Sequence, residues 1–137
     1  MKILILTLTL AGSLIAGGLN WIDSMGKALE LATKKHKPIM VFVEAGHCPW
    51  CSRMLNEVLE ERDTIKVLNR DFVLVKLDID GRDAREYFPN TSMTPTTYFI
   101  SADSKPLLMV EGYVNSYSFY SYLSDVDKKI AELKRKK

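Results

Sequence analysis

Cys48-Pro49-Trp50-Cys51 contains both cysteines of this 137-residue chain. Two thiols three positions apart at the opening of a helix can close a disulfide across one turn, so the pair can take up and release two electrons. The attacking form is the thiolate, and one sulfur must therefore hold its charge at neutral pH. At a helix start several backbone N–H groups lack partners and the helix dipole is positive, and both favour negative sulfur. Cys48 occupies that place. Cys51, one turn inside, should be less exposed and is set to attack a mixed disulfide formed at Cys48. The expectation is that Cys48 is the nucleophile and Cys51 the resolving thiol. Two other uses of the pair are weaker. A structural bridge over so short a loop restrains the unfolded chain little. A zinc site wants about four ligands, and the other candidates of the right kind are His36, His47 and carboxylates.

The elements that position the pair follow from periodicity. Ile22, Met25, Leu29 and Ala32 recur at helical spacing between Trp21 and Lys35, with Asp23 or Asn20 available as a cap, and Pro38 stops that helix. Ile39 to Val43 is a continuous apolar run that suits a strand buried on both faces, and it leads straight to the cysteines. From Pro49 the pattern turns helical, with Met54, Leu55, Val58 and Leu59 on one stripe; proline fits a first helical turn. Asp63 can cap a shorter helix through Leu68. Phe72 to Ile79 reads as a second strand ended by Asp80-Gly81, and Arg82 to Phe88 as a short helix. Thr96 to Ile100 and Leu107 to Val110 read as an antiparallel hairpin. A last helix, capped by Asn115 or Ser116, would bury Phe119, Leu123, Val126, Ile130 and Leu133. The fold class expected is α/β, a central mixed sheet with helices on both faces and the cysteine pair at the carboxyl end of a strand.

Composition sets the frame. The length suits one domain with a single core. The formal net charge of +2 is nearly balanced and gives no argument for nucleic acid; the basic end Lys134 to Lys137 suits the dipole of a last helix. Lys2 precedes an apolar run from Ile3 to Ala16, followed by Gly17 and Gly18, which reads as a secretory signal peptide over residues 1–18. A membrane anchor is the alternative, although the run is short for a bilayer's roughly 20 residues. Residues 19–137 would then form the domain, in an exported compartment that tolerates disulfides.

The motif and its surroundings resemble the thioredoxin-like family from about Trp21 to Lys134. The resemblance is carried by Val41-Phe42-Val43-Glu44-Ala45-Gly46-His47-Cys48-Pro49-Trp50-Cys51, by Thr94-Pro95-Thr96 and by Gly112. It implies a cis Thr94-Pro95 bond lying against the cysteines, where the backbone of Thr94 pairs with a substrate strand. It also exposes departures. Where thioredoxin has a buried aspartate that helps deprotonate the resolving thiol, this chain has Phe42. Glu44, two residues on and on the same strand face, is the candidate replacement, against the plainer reading of a solvated strand-end glutamate. His47 would stabilise the Cys48 thiolate as a cation, or act only as a loop residue. Trp50 is expected to form part of a partner-docking surface, since aromatic anchors are favoured at interfaces. The tyrosines between Tyr113 and Tyr122 are given no chemistry.

The resemblance implies a thiol–disulfide oxidoreductase, here exported and periplasmic, with no cofactor beyond the Cys48–Cys51 couple. Without the large inserted helical region of the strong periplasmic oxidants of this superfamily, the chain is expected to act as reductant or electron relay. Its partners would be disulfide-containing exported proteins and a membrane electron donor, with the protein itself a monomer. The alternative from another class is a copper-binding or chaperone module using the same pair, since thiolates are soft ligands and Met93 lies just before Thr94.

Overall fold

The structure, a computed structural model, describes residues 17–137. The signal peptide expected over 1–18 lies outside the described residues apart from Gly17 and Gly18. The apolar run ahead of the cysteines forms β2 (Ile39–Glu44), whose first five side chains are fully buried. It is the central strand of a five-stranded sheet. On one side it pairs in parallel with β3 (Val73–Asp78) and on the other antiparallel with β4 (Thr96–Ile100). Beyond β4 lies β5 (Pro106–Glu111), antiparallel, and beyond β3 the two-residue β1 (Trp21–Ile22), parallel.

Alternation along β2 divides the core. Met40 and Phe42 face α2 (Pro49–Met54), α3 (Arg62–Asp71) and α5 (Ser116–Arg135), packing with Met54, Leu68 and Phe119. Ile39, Val41 and Val43 face α1 (Met25–Lys35) and α4 (Arg82–Tyr87), packing with Met25, Ala28 and Ala84. Each such fully buried side chain contributes about 1.5–3 kcal/mol of transfer free energy, so β2 anchors both layers.

The first helix is shorter than its periodicity suggests. Trp21 and Ile22 pair with Leu74 and Val75 of β3, and the helix starts only at Met25. Its cap is Ser24, whose hydroxyl accepts from the Lys27 N–H, rather than Asp23 or Asn20. The aromatic and β-branched pair gains more on the open edge of β3 than in a helical turn. Asp83 of α4 adds a second partner for this helix start, accepting the Met25 N–H at 2.7 Å. The helix expected from Asp63 to Leu68 runs from Arg62 to Asp71 with Glu61 at its N-cap. The last helix is capped by Asn115, whose Oδ1 accepts the Ser118 N–H at 2.9 Å; Phe119, Leu123 and Val126 are buried along it, while Ile130 and Leu133 pack at the rim. After Met54 the motif helix widens into a π-helical turn, Leu55–Leu59, that simple helical spacing did not anticipate.

Candidate active site

The strand-to-helix turn makes the site. β2 ends at Glu44, His47 reverses the chain at φ 55°, and Cys48 takes an extended conformation at the N-cap of α2 with Pro49 directly after it. Proline at this position sacrifices only an N–H that the first turn leaves unpaired. Cys48 and Cys51 are joined in a disulfide, Cα atoms 5.2 Å apart. The Cys48 Sγ accepts the Cys51 N–H at 3.2 Å and the Thr94 hydroxyl at 3.4 Å. Cys51 is 3% exposed and packed with Phe42 and Met54, whereas Cys48 is half-buried. The accessible sulfur is therefore also the one that two donors face.

The Thr94-Pro95 peptide is cis, and Pro95 is buried. Its carbonyl accepts the Gly112 N–H at 2.7 Å, and the Thr96 hydroxyl donates to the Met93 carbonyl at 2.8 Å. Gly112 has φ +81°, a left-handed conformation that costs a glycine little. The loop before β4 and the segment after β5 are thus tied together beside Cys48.

Phe42 is wholly enclosed, its ring centroid 6.2 Å from that of Trp21. Lys76, opposite Phe42 on β3, extends to within 4.0 Å of the Glu44 carboxylate and 5.7 Å of the Trp21 ring centroid. Glu44, His47 and Asp78 line an open cavity of about 500 Å³ together with Cys48 and Cys51. The structure thus brings Glu44 and His47 to the cysteine pair. Of the two, His47 is exposed and Glu44 half-buried.

Trp50, 52% exposed, stands on the outer surface of the motif helix. Tyr113 packs against it with ring centroids 5.5 Å apart. Arg53 places its guanidinium 5.0 Å from the centroid of each ring, and its Nε donates to Glu57 Oε1 at 2.9 Å. The second oxygen of Glu57 accepts the Tyr113 hydroxyl at 2.8 Å. The bonds from Arg53 and then Tyr113 hold the Glu57 carboxyl below its ordinary range, and acceptance by Glu57 pushes the Tyr113 phenol up. Sequence reasoning found Trp50 and missed the other three. Arg53 and Glu57 carried a signal in their spacing of three and seven from Trp50; Tyr113 carried none.

Among the described residues no three His, Cys, Asp or Glu side chains come together as a metal site, and no helix is long and apolar enough to cross a membrane.

A family model described as a thioredoxin-like domain matches residues 25–127, three-quarters of the chain and all of the site. The chain belongs to the thioredoxin-like family. A thioredoxin from Thermus thermophilus is 25% identical with a TM-score of 0.71, the match covering 80% of this chain and 87% of that one. A structure described as DsbH oxidoreductase is 21% identical with a TM-score of 0.65, over 90% of this chain and 92% of that one. An uncharacterized protein of Caenorhabditis elegans, B0495.5, is 34% identical over 64 residues, which is 47% of this chain and 9% of that protein. The chain thus spans under a tenth of the length of the curated relatives it matches. Its mixed sheet, helices on both faces and closed CXXC pair are those of a thioredoxin-like domain.

Proposed function

We propose that this protein is an exported, periplasmic thiol–disulfide oxidoreductase that reduces, or relays electrons to, disulfides of other exported proteins. The observation that carries the reading is the Cys48–Cys51 disulfide at the N-cap of α2, with the half-buried outer sulfur receiving the Cys51 amide and the Thr94 hydroxyl. In the reduced protein the Cys48 thiolate attacks one sulfur of the partner's disulfide, forming a mixed disulfide and expelling the partner's first thiolate. The Cys51 thiolate then attacks the Cys48 sulfur, closing the Cys48–Cys51 bond and releasing the second thiolate. Two electrons pass to the partner, whose two thiolates take up two protons.

Resolution requires that Cys51 lose its proton. Its inner side is apolar, packed by Phe42 and Met54, so the polar cavity holding Glu44 is the route of departure. Glu44, whose carboxylate lies 4.0 Å from the Lys76 ammonium, acts as acceptor directly or through water. Trp50, Thr94 and Pro95 receive the partner's chain. An exported reductant needs a donor on the membrane side to recharge it, because cytosolic reductants do not reach that compartment.

The test is a set of three measurements. A Cys48/Cys51 reduction potential near or below about −230 mV marks a reductant, and one near about −120 mV an oxidant. Cys48→Ser should abolish turnover of insulin disulfides, whereas Cys51→Ser should accumulate Cys48-linked mixed disulfides with exported proteins. Capture by Cys48→Ser but not by Cys51→Ser reverses the assignment of roles. Stoichiometric, tight cuprous ion on the reduced pair with no reductase activity replaces the reading with metal delivery.

A further inference from the structure

Trp50, Arg53, Glu57 and Tyr113 form a closed ring of contacts, each side chain held by the next. Three of them lie on the motif helix and its π-helical continuation, while Tyr113 follows Gly112 on the segment after β5. Stability is a poor reason for such a ring. The Arg53–Glu57 pair is solvent-exposed on both sides, and exposed pairs of this kind add at most about 1 kcal/mol. Its location is more telling. The Gly112 N–H bonds to the Pro95 carbonyl, so the backbone that carries Tyr113 is fixed to the loop whose Thr94 hydroxyl touches Cys48. On the other side of Gly112 lies Met93, 47% exposed, with its sulfur 3.8 Å from where a Cβ on that glycine would stand. Trp50 and Tyr113, in contact, and Met93, beside the glycine that precedes Tyr113, line a strip between the motif helix and the Thr94-Pro95 loop.

An indole this exposed has several open rotamers, and each must be given up when a partner docks. Tyr113 on one side and the guanidinium of Arg53 remove that freedom in advance, and Glu57 fixes both of them. Resting on the oxidoreductase reading above, we propose that Tyr113 is a positioning residue. Through Glu57 and Arg53 it sets Trp50 so that the strip accepts an apolar side chain next to the reactive cysteine of an extended, disulfide-bonded partner segment.

The experiment compares two disulfide-linked peptides that differ only in having leucine or serine beside the cysteine, with wild type, Tyr113→Ala, Tyr113→Phe and Tyr117→Ala. Tyr117 is 87% exposed and stands outside the ring, which makes its variant the control. Wild type should prefer the leucine peptide, through KM. Tyr113→Ala should raise KM for it by roughly 3- to 10-fold with kcat nearly kept, and so erase the preference, as expected for losing one aromatic contact. Tyr113→Phe, which keeps the ring and loses the bond to Glu57, should fall between wild type and Tyr113→Ala. Glu57→Gln probes the same link if Tyr113→Ala folds poorly. Absence of a preference in wild type, or a preference undiminished in Tyr113→Ala or in Glu57→Gln, overturns the inference while leaving the oxidoreductase reading intact. Failure of wild type to turn over either peptide or glutathione disulfide removes the oxidoreductase reading and the inference with it.

Discussion

Replacing Thr94 by valine keeps the shape of the side chain and removes the one hydroxyl among the described residues that reaches Cys48, at 3.4 Å from its sulfur. A hydrogen bond to a charged group is worth about 1.5–3 kcal/mol net at good length, and with Thr94 only half-buried a value near 1 kcal/mol is appropriate. At 1.36 kcal/mol per unit, the Cys48 pKa in the reduced protein should rise by about 0.7, while the Cys51 amide continues to support the thiolate. Nucleophilicity moves the other way. With a Brønsted slope of about 0.45, the variant's thiolate is intrinsically about twofold faster. Below both pKa values the fivefold loss of thiolate dominates and the variant should react at about 0.4 of the wild-type rate; above both it should react about twofold faster. Stopped-flow reaction of the reduced proteins with a small aromatic disulfide, followed from pH 4 to 10, should therefore give two profiles that cross. Thr94→Ser should restore the wild-type curve. Superimposable profiles for wild type and Thr94→Val would refute the argument, because they mean that the hydroxyl contributes nothing to the charged sulfur.

Two further predictions concern the surroundings of the pair. Phe42→Asp puts a carboxyl into a fully buried apolar site, at a cost of at least about 4 kcal/mol from lost packing and desolvation. Burial raises that carboxyl's pKa above its unfolded value near 3.9, so stability should fall further as pH rises from that value through the folded one; urea unfolding at pH 5 and pH 8 reads this, and equal losses at both pH values count against it. Asp103 is held at about 2 by the Ser101 hydroxyl and then by Lys137. Its folded pKa is depressed, so its contribution is present above the ordinary carboxyl range and lost as pH falls toward 2. The difference in Tm between wild type and Asp103→Asn should shrink steadily between pH 4 and pH 2 and be smaller in high salt; a difference that stays constant over that range would place the effect elsewhere.

Local chemistry explains which parts of this fold could be read in advance. β2 was legible because five consecutive apolar residues can be buried only inside a two-faced layer. The start of α2 was legible because cysteine, then proline, at a strand exit satisfies the requirements of a helix N-terminus without reference to the rest of the chain. β1 was not, since Trp21 and Ile22 fit the helical stripe equally well and become a strand only because β3 offers an unpaired edge. The π-helical turn after Met54 was missed for a related reason. A single extra residue in the ladder leaves the apolar stripe Met54, Leu55, Val58 and Leu59 in place, and three of those four are fully buried.

The same distinction separates the two halves of the site. Cys48, Cys51, Pro49 and Trp50 are neighbours in sequence, and His47 and Glu44 lie within one turn and one strand end of them, so their proximity needs little more than the backbone. Thr94 and Tyr113 arrive from the other side of the sheet. They do so because β4 runs antiparallel to β2, which returns the loop before Thr96 to the end of β2 at Val43, and because β5 runs antiparallel to β4, which returns Glu111 to Thr96. Each reversal brings a chain end back to the same edge of the sheet. A tyrosine two residues beyond that second return is therefore brought to the end of the sheet from which the motif helix starts. Whether it meets Trp50 there depends on the side of the sheet toward which the chain turns, and the left-handed Gly112, bonded to Pro95, sets that turn.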